Sequence, residues 1–129
     1  MSSRLAESVP HFSKTNERNG LVFVSGQLPI LDMVLVEGDI AAQTRYCLNQ
    51  IQHSLRDIGL SMSDIVKTTV WIARVEDFVD FNAAYAEAFK GLIAPARSTV
   101  RADLMIEGAL VEIEAIALRP CLSREATES

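Results

Sequence analysis

Three ionisable residues in the last third of the chain have types and spacing suited to chemistry. Arg97 opens an extended stretch, Pro95-Ala96-Arg97-Ser98-Thr99-Val100, and Glu112 and Glu114 stand two apart in Val111-Glu112-Ile113-Glu114-Ala115-Ile116-Ala117. A guanidinium offers a planar fork that matches a carboxylate in two places. Side chains two apart on a strand share a face, so both glutamates point the same way. A carboxylate there can orient a water molecule and accept its proton. One guanidinium and a pair of acids on neighbouring β elements is the most chemical feature of the chain. Spacing alone leaves plainer readings open: a surface arginine in an ordinary ion pair, and a solvated or interfacial strand face for the glutamates.

Other residues enter more weakly. Gly26, in Ser25-Gly26-Gln27, would let a ligand approach the backbone, or would mark a strand end or bulge. Asn82 sits inside an apolar helical stripe, where a polar residue suggests a helix-end hydrogen bond. No glycine-rich loop precedes a helix in phosphate-binding form, and no His/Cys group has metal spacing, so no metal site is expected. His11 and His53 are isolated, and no nucleophile elbow appears. Cys47 and Cys121 are too few for a disulfide framework. Cys47 falls on a helix pattern and reads as core, Cys121 lies near a polar tail, and a reducing cytoplasm is the expected location.

The elements that must position these residues follow from periodicity. Residues 21 to 25 are apolar on both parities and predict a strand covered on both faces, opened by the Asn19-Gly20 turn signal and either stopped by Pro29 or put at an edge by it. Residues 33 to 36 predict a second short strand. Asp39 can cap a helix over residues 39 to 58, whose stripe is Ile40, Thr44, Cys47, Leu48, Ile51, Leu55 and Ile58. Gln43 falls on its polar side, and Gly59 suits the closing left-handed position. Residues 65 to 73 alternate and are β-branched, predicting a strand. A second helix is expected from about 75 to 90, with Phe78, Phe81, Tyr85, Ala88 and Phe89 as its stripe. Strands over 97 to 103 and 110 to 118 complete a β-β-α-β-α-β-β order. Residues 1 to 10 and 120 to 129 read as loosely held termini.

At 129 residues this is one domain, large enough for a core without staples. A net charge of −5, with the basic residues scattered singly, argues against nucleic acid and against a membrane surface. No apolar run approaches the ~20 residues of a membrane span. Each helix has one apolar stripe, so both should cover one face of one mixed sheet. The strands are apolar on both parities, so the second face needs a cover that this chain lacks; a second copy is the simplest one.

Pro95 to Val100, Val111 to Ala117 and Ser25-Gly26-Gln27 together closely resemble the Rid family of reactive intermediate deaminases (YjgF-type, formerly called L-PSP endoribonucleases), over roughly residues 10 to 119. The resemblance implies an α+β, chorismate mutase-like fold assembled as a homotrimer, with sheets inside, helices outside and pockets between subunits. It implies hydrolysis of 2-imino acids and their enamines to 2-oxo acids and ammonia, without a cofactor. Arg97 would grip the substrate carboxylate and Glu112 would hold the attacking water. Backbone groups near Ser25 and Gly26, together with Asn82 and Thr99, would line the pocket. Two positions depart from the family pattern. Phe12 stands where a lid tyrosine is usual, and Thr99 where cysteine is common. The hairpin after Pro29 also looks short and lacks its glycine turn. Phe12 keeps a second reading open, a trimeric module that binds small carboxylates and regulates a partner. A third, endoribonuclease activity, is disfavoured by the acidic balance.

Overall fold

The computed structural model describes residues 11 to 121. The expectations for residues 1 to 10 and 122 to 129 lie outside the described residues. Among the described residues, seven strands and two α-helices follow one another: β1 (Thr15–Arg18), β2 (Leu21–Gln27), β3 (Ile30–Leu31), β4 (Val34–Leu35), α1 (Ile40–Arg56), β5 (Ile65–Ile72), α2 (Phe78–Ala88), β6 (Ala96–Arg101) and β7 (Val111–Leu118). The main sheet has the order β1-β2-β7-β5-β6, and β3 and β4 form a separate hairpin. Only β5 and β6 run parallel, joined across α2; the other pairs in the main sheet are antiparallel. This is the expected α+β fold, one mixed sheet with two helices on one face.

The helices form where the stripes predict. Asp39 accepts a hydrogen bond from the Ala42 amide at 3.0 Å and caps α1. The core lies between helices and sheet. Leu48, Ile51 and Leu55 from α1 meet Val22, Val24, Val70, Val111 and Ile113. Gln43 departs from its expected polar side, being only 2% exposed. Its amide oxygen accepts from Leu110 N at 2.7 Å, and its amide nitrogen faces the Val36 and Gly108 carbonyls at 3.4 Å. A polar side chain is buried here because it satisfies backbone groups at the entry to β7.

Two elements differ from expectation. β1 was not expected, because Thr-Asn-Glu-Arg is wholly polar; it is an edge strand paired with β2 through the Asn19-Gly20 turn. Both turn residues have positive φ, 53° and 82°, as a tight hairpin requires. The single strand expected over 33 to 36 is one arm of the β3–β4 hairpin. Its turn residues, Asp32 and Met33, also have positive φ, 51° and 64°, with no glycine to relieve them. The expected second helix begins as a single 3-10 turn, Val75–Asp77, before α2 proper.

The far face of the sheet is uncovered. Phe23 is 44% exposed, and Leu21, Val66, Val100 and Leu118 also meet solvent. This is the second apolar face read from the strand parities.

Candidate active site

Arg97 lies on edge strand β6, paired with Thr68 of β5, on the face that the helices cover. The stripe of α2 brings Phe78, Phe81 and Tyr85 over it. The guanidinium carbon stands 5.9, 5.3 and 4.9 Å from these three ring centroids. Each such contact favours the cation by about 0.5–2 kcal/mol, the larger values where water is excluded. Tyr85 is itself fixed. Its hydroxyl hydrogen-bonds the buried Thr68 hydroxyl at 2.7 Å, and its ring contacts Phe81 at 5.5 Å and Phe89 at 4.9 Å. Burial raises the Tyr85 pKa, opposed by the Thr68 hydrogen bond and the Arg97 charge. Among the described residues, the ion pairs are Arg74 with Asp77 and Arg119 with Glu17, so Arg97 has no carboxylate. An aromatic cage without a counter-ion leaves the fork of Arg97 available to an incoming anion.

Asn82 and Thr99 are on the same side. Asn82 follows Phe78 by four residues and precedes Tyr85 by three, so it shares their part of α2. Thr99 follows Arg97 by two on β6. Asn82 Oδ1 and Thr99 Oγ1 are both buried without a hydrogen-bond partner. The helix-end hydrogen bond weighed for Asn82 is therefore not made by this oxygen. A buried polar atom without a partner is costly, so both oxygens are suited to a ligand.

Glu112 belongs to a second group. It is half-buried on β7, opposite Trp71 of β5, on the open face. Glu114 lies on the same face, as expected, opposite Thr69. Burial raises the Glu112 pKa, and the Glu114 charge adds to the rise. Gly26 makes room for Glu112. A Cβ at position 26 would collide with Glu112 Oε2. The β2–β7 register shifts between Val24 and Gln27, so Ser25 and Gly26 lie in an irregular stretch of β2. Ser25 is engaged with the incoming chain: its hydroxyl donates to the Ser13 carbonyl at 2.6 Å and its amide to the Lys14 carbonyl at 3.0 Å. This anchor holds the segment that carries Phe12, whose ring is 66% exposed beside a shallow cleft with His11, Ser13 and Asn16.

The structure thus brings together Arg97, Asn82 and Thr99 on the helix side; elsewhere it places Gly26 against Glu112 and ties Ser25 to the segment that carries Phe12. The expectation that Arg97 and Glu112 sit on neighbouring β elements is corrected. Their strands are consecutive in the chain, but β5 lies between them in the sheet. Arg97 pairs with Thr68, Thr68 with Ala115, and Glu112 is three residues farther along β7. That places the two about 10 Å apart along the strands and about 10 Å across them, on opposite faces. The cage of Phe78, Phe81, Tyr85 and Thr68 was not read from sequence. Its signal, an apolar helical stripe, is the same one that any core helix gives. No group of three or more His, Cys, Asp or Glu among the described residues could hold a metal ion.

Residues 1–119 match the family model described as Endoribonuclease L-PSP. This chain belongs to the Rid (YjgF) family. Rid relatives include the Escherichia coli 2-iminobutanoate/2-iminopropanoate deaminase, 38% identical over 77% of this chain and 80% of that protein. Schizosaccharomyces pombe mmf1, a mitochondrial protein, is 35% identical over 91% of this chain and 73% of its own. A crystal structure of the Rid protein YyfA from Yersinia pestis, described as of unknown function, superposes with a TM-score of 0.80 at 42% identity, covering 86% of this chain and 90% of that one. The Rid fold therefore holds for this chain, and the family includes an imine deaminase.

Proposed function

We propose that this Rid protein hydrolyses 2-imino acids, such as 2-iminopropanoate and 2-iminobutanoate, to 2-oxo acids and ammonia. The observation that carries the reading is Arg97, a caged cation with no carboxylate of its own among the described residues. It fits the carboxylate of an imino acid, and a relative bears the name of this activity. Glu112 is the base. As water adds to the carbon of the protonated imine, the Glu112 carboxylate takes a proton from the water and the nitrogen becomes a neutral amine. Glu112 then passes that proton to the amine; the C–N bond breaks, ammonia leaves, and the carbon's hydroxyl gives its proton back to Glu112 as the carbonyl forms. The imine carbon is electrophilic already, so arrangement and one proton acceptor supply the acceleration.

Arg97 and Glu112 face opposite ways within one chain, so the pocket in this proposal is shared between copies. Arg97 of one copy and Glu112 of the next, presented on the uncovered sheet face, complete it in a homotrimer. The partner molecule is the small imino or oxo acid, and the proposed compartment is the cytoplasm, although a relative is mitochondrial.

The test is 2-oxo acid formation from freshly generated imine, with calorimetry of pyruvate binding. Arg97→Ala should raise KM strongly and abolish pyruvate binding, and Arg97→Lys should restore little, since an ammonium lacks the fork. Undiminished pyruvate binding by Arg97→Ala would overturn the reading.

A further inference from the structure

Beside Arg97, at the sheet edge, is a mainly apolar cleft of about 150 Å3 lined by Ile72, Val75, Phe78, Thr99, Val100 and Arg101. Three observations tie it to Arg97. Arg97 and Thr99 are two apart on β6 and share a face, so the cleft begins one step along the strand from the guanidinium. Phe78 belongs to both places, with its ring 5.9 Å from the Arg97 guanidinium and also forming a wall of the cleft. Thr99 Oγ1, in that wall, is buried and has no partner.

We propose that this cleft is the side-chain subsite, and that it selects 2-imino and 2-oxo acids with apolar side chains larger than methyl. The inference rests on Arg97 as the carboxylate anchor. With the carboxylate on Arg97, the carbons attached to it start beside Phe78. A methyl group leaves most of the cleft empty, whereas a space of about 150 Å3 accepts a group as large as a six-carbon ring. Ile72, Val75 and Phe78 then cover the side chain. Thr99 Oγ1 is left to hydrogen-bond the polar end of the ligand, near the α-carbon.

The experiment is calorimetry of pyruvate, 4-methyl-2-oxopentanoate and 2-oxoglutarate with the wild-type protein, Val75→Phe and Arg97→Ala. The three added carbons of 4-methyl-2-oxopentanoate should tighten binding over pyruvate by roughly 10- to 100-fold. Val75 is exposed in the turn before α2, so the substitution can fill the cleft without disturbing the core. It should reduce the affinity ratio of the two acids towards one. Equal affinities in the wild type, or an unchanged ratio in Val75→Phe, would overturn the subsite. So would tighter binding of 2-oxoglutarate than of 4-methyl-2-oxopentanoate, which would point to Arg101 as a second anion contact. If Arg97→Ala still binds the acids, the carboxylate anchor has failed; if it loses them and size makes no difference, only the subsite has failed.

Discussion

At the scale of single residues, two side chains carry separable predictions. Glu112 is held partly away from water beside Glu114, so folding favours its protonated form. A raised pKa in the folded state gives stability that is fully present below the ordinary glutamate pKa and is lost as pH rises through the raised value. Glu112→Gln should therefore melt higher than the wild type at pH 7.5, with the gap closing below about pH 4. The same variant keeps shape and loses basicity. Its kcat should fall by roughly 10²–10⁴ while pyruvate binding survives, and Glu114→Gln should turn over nearly normally. Normal turnover by Glu112→Gln in the imine assay would remove it from the mechanism. Tyr85 acts through Arg97. Tyr85→Phe keeps the ring but leaves the Thr68 hydroxyl buried and alone, which should cost about 1–3 kcal/mol in denaturant unfolding. A ring freed from this tether should also raise KM more than it lowers kcat. A variant whose stability falls while KM stays fixed would show that the tether is structural only.

At the scale of elements, the irregular stretch of β2 matters most. Gly26 is not required there for positive φ; it is required for space against Glu112. The atom that an added Cβ meets first is the far end of a flexible side chain, so the carboxylate should move and the backbone should stay. Gly26→Ala should thus unfold within about 1 kcal/mol of the wild type, the scale of a displaced side-chain rotamer. Its kcat should fall toward that of Glu112→Gln. Unaltered kcat would mean that the position of this carboxylate is not critical. The β3–β4 hairpin shows the opposite situation. Asp32 and Met33 hold left-handed backbone without glycine, so strain replaces the usual turn chemistry.

At the scale of the whole molecule, the sheet has one covered face and one open face. Leu21, Phe23 and Leu118 make an apolar stripe on the open side, next to Ile116, on β2 and β7. Burying them between copies is the stabilisation expected for a homotrimer, and the face also carries Glu112. Light scattering at micromolar concentration should give three times the chain mass. Phe23→Asp should shift it toward the monomer, because a carboxylate would be buried without a partner. Loss of the assembly should remove imine hydrolysis while leaving the Arg97 cage, which one chain completes alone. A stable wild-type monomer would defeat the shared-pocket arrangement.

The sequence by itself determined the elements and which residues share a face within each. The stripes of α1 and α2, the Asp39 cap, the two-sided strands and the paired glutamates of β7 all follow from periods of 3.6 and 2. Gly26 was legible as a place of close approach, though not that Glu112 fills the space. Periodicity cannot state which strand lies beside which, or which face of a strand the helices cover. Those depend on register between segments far apart in the chain, and a one-residue slip exchanges the faces. Only the tertiary structure inserted β5 between β6 and β7, turned Arg97 toward the helices and Glu112 away from them, and made the stripe of α2 into a cage. β1 and Gln43 were hidden for a related reason. Their polar side chains look solvent-facing until the paired strand, or the buried backbone groups they satisfy, are in place.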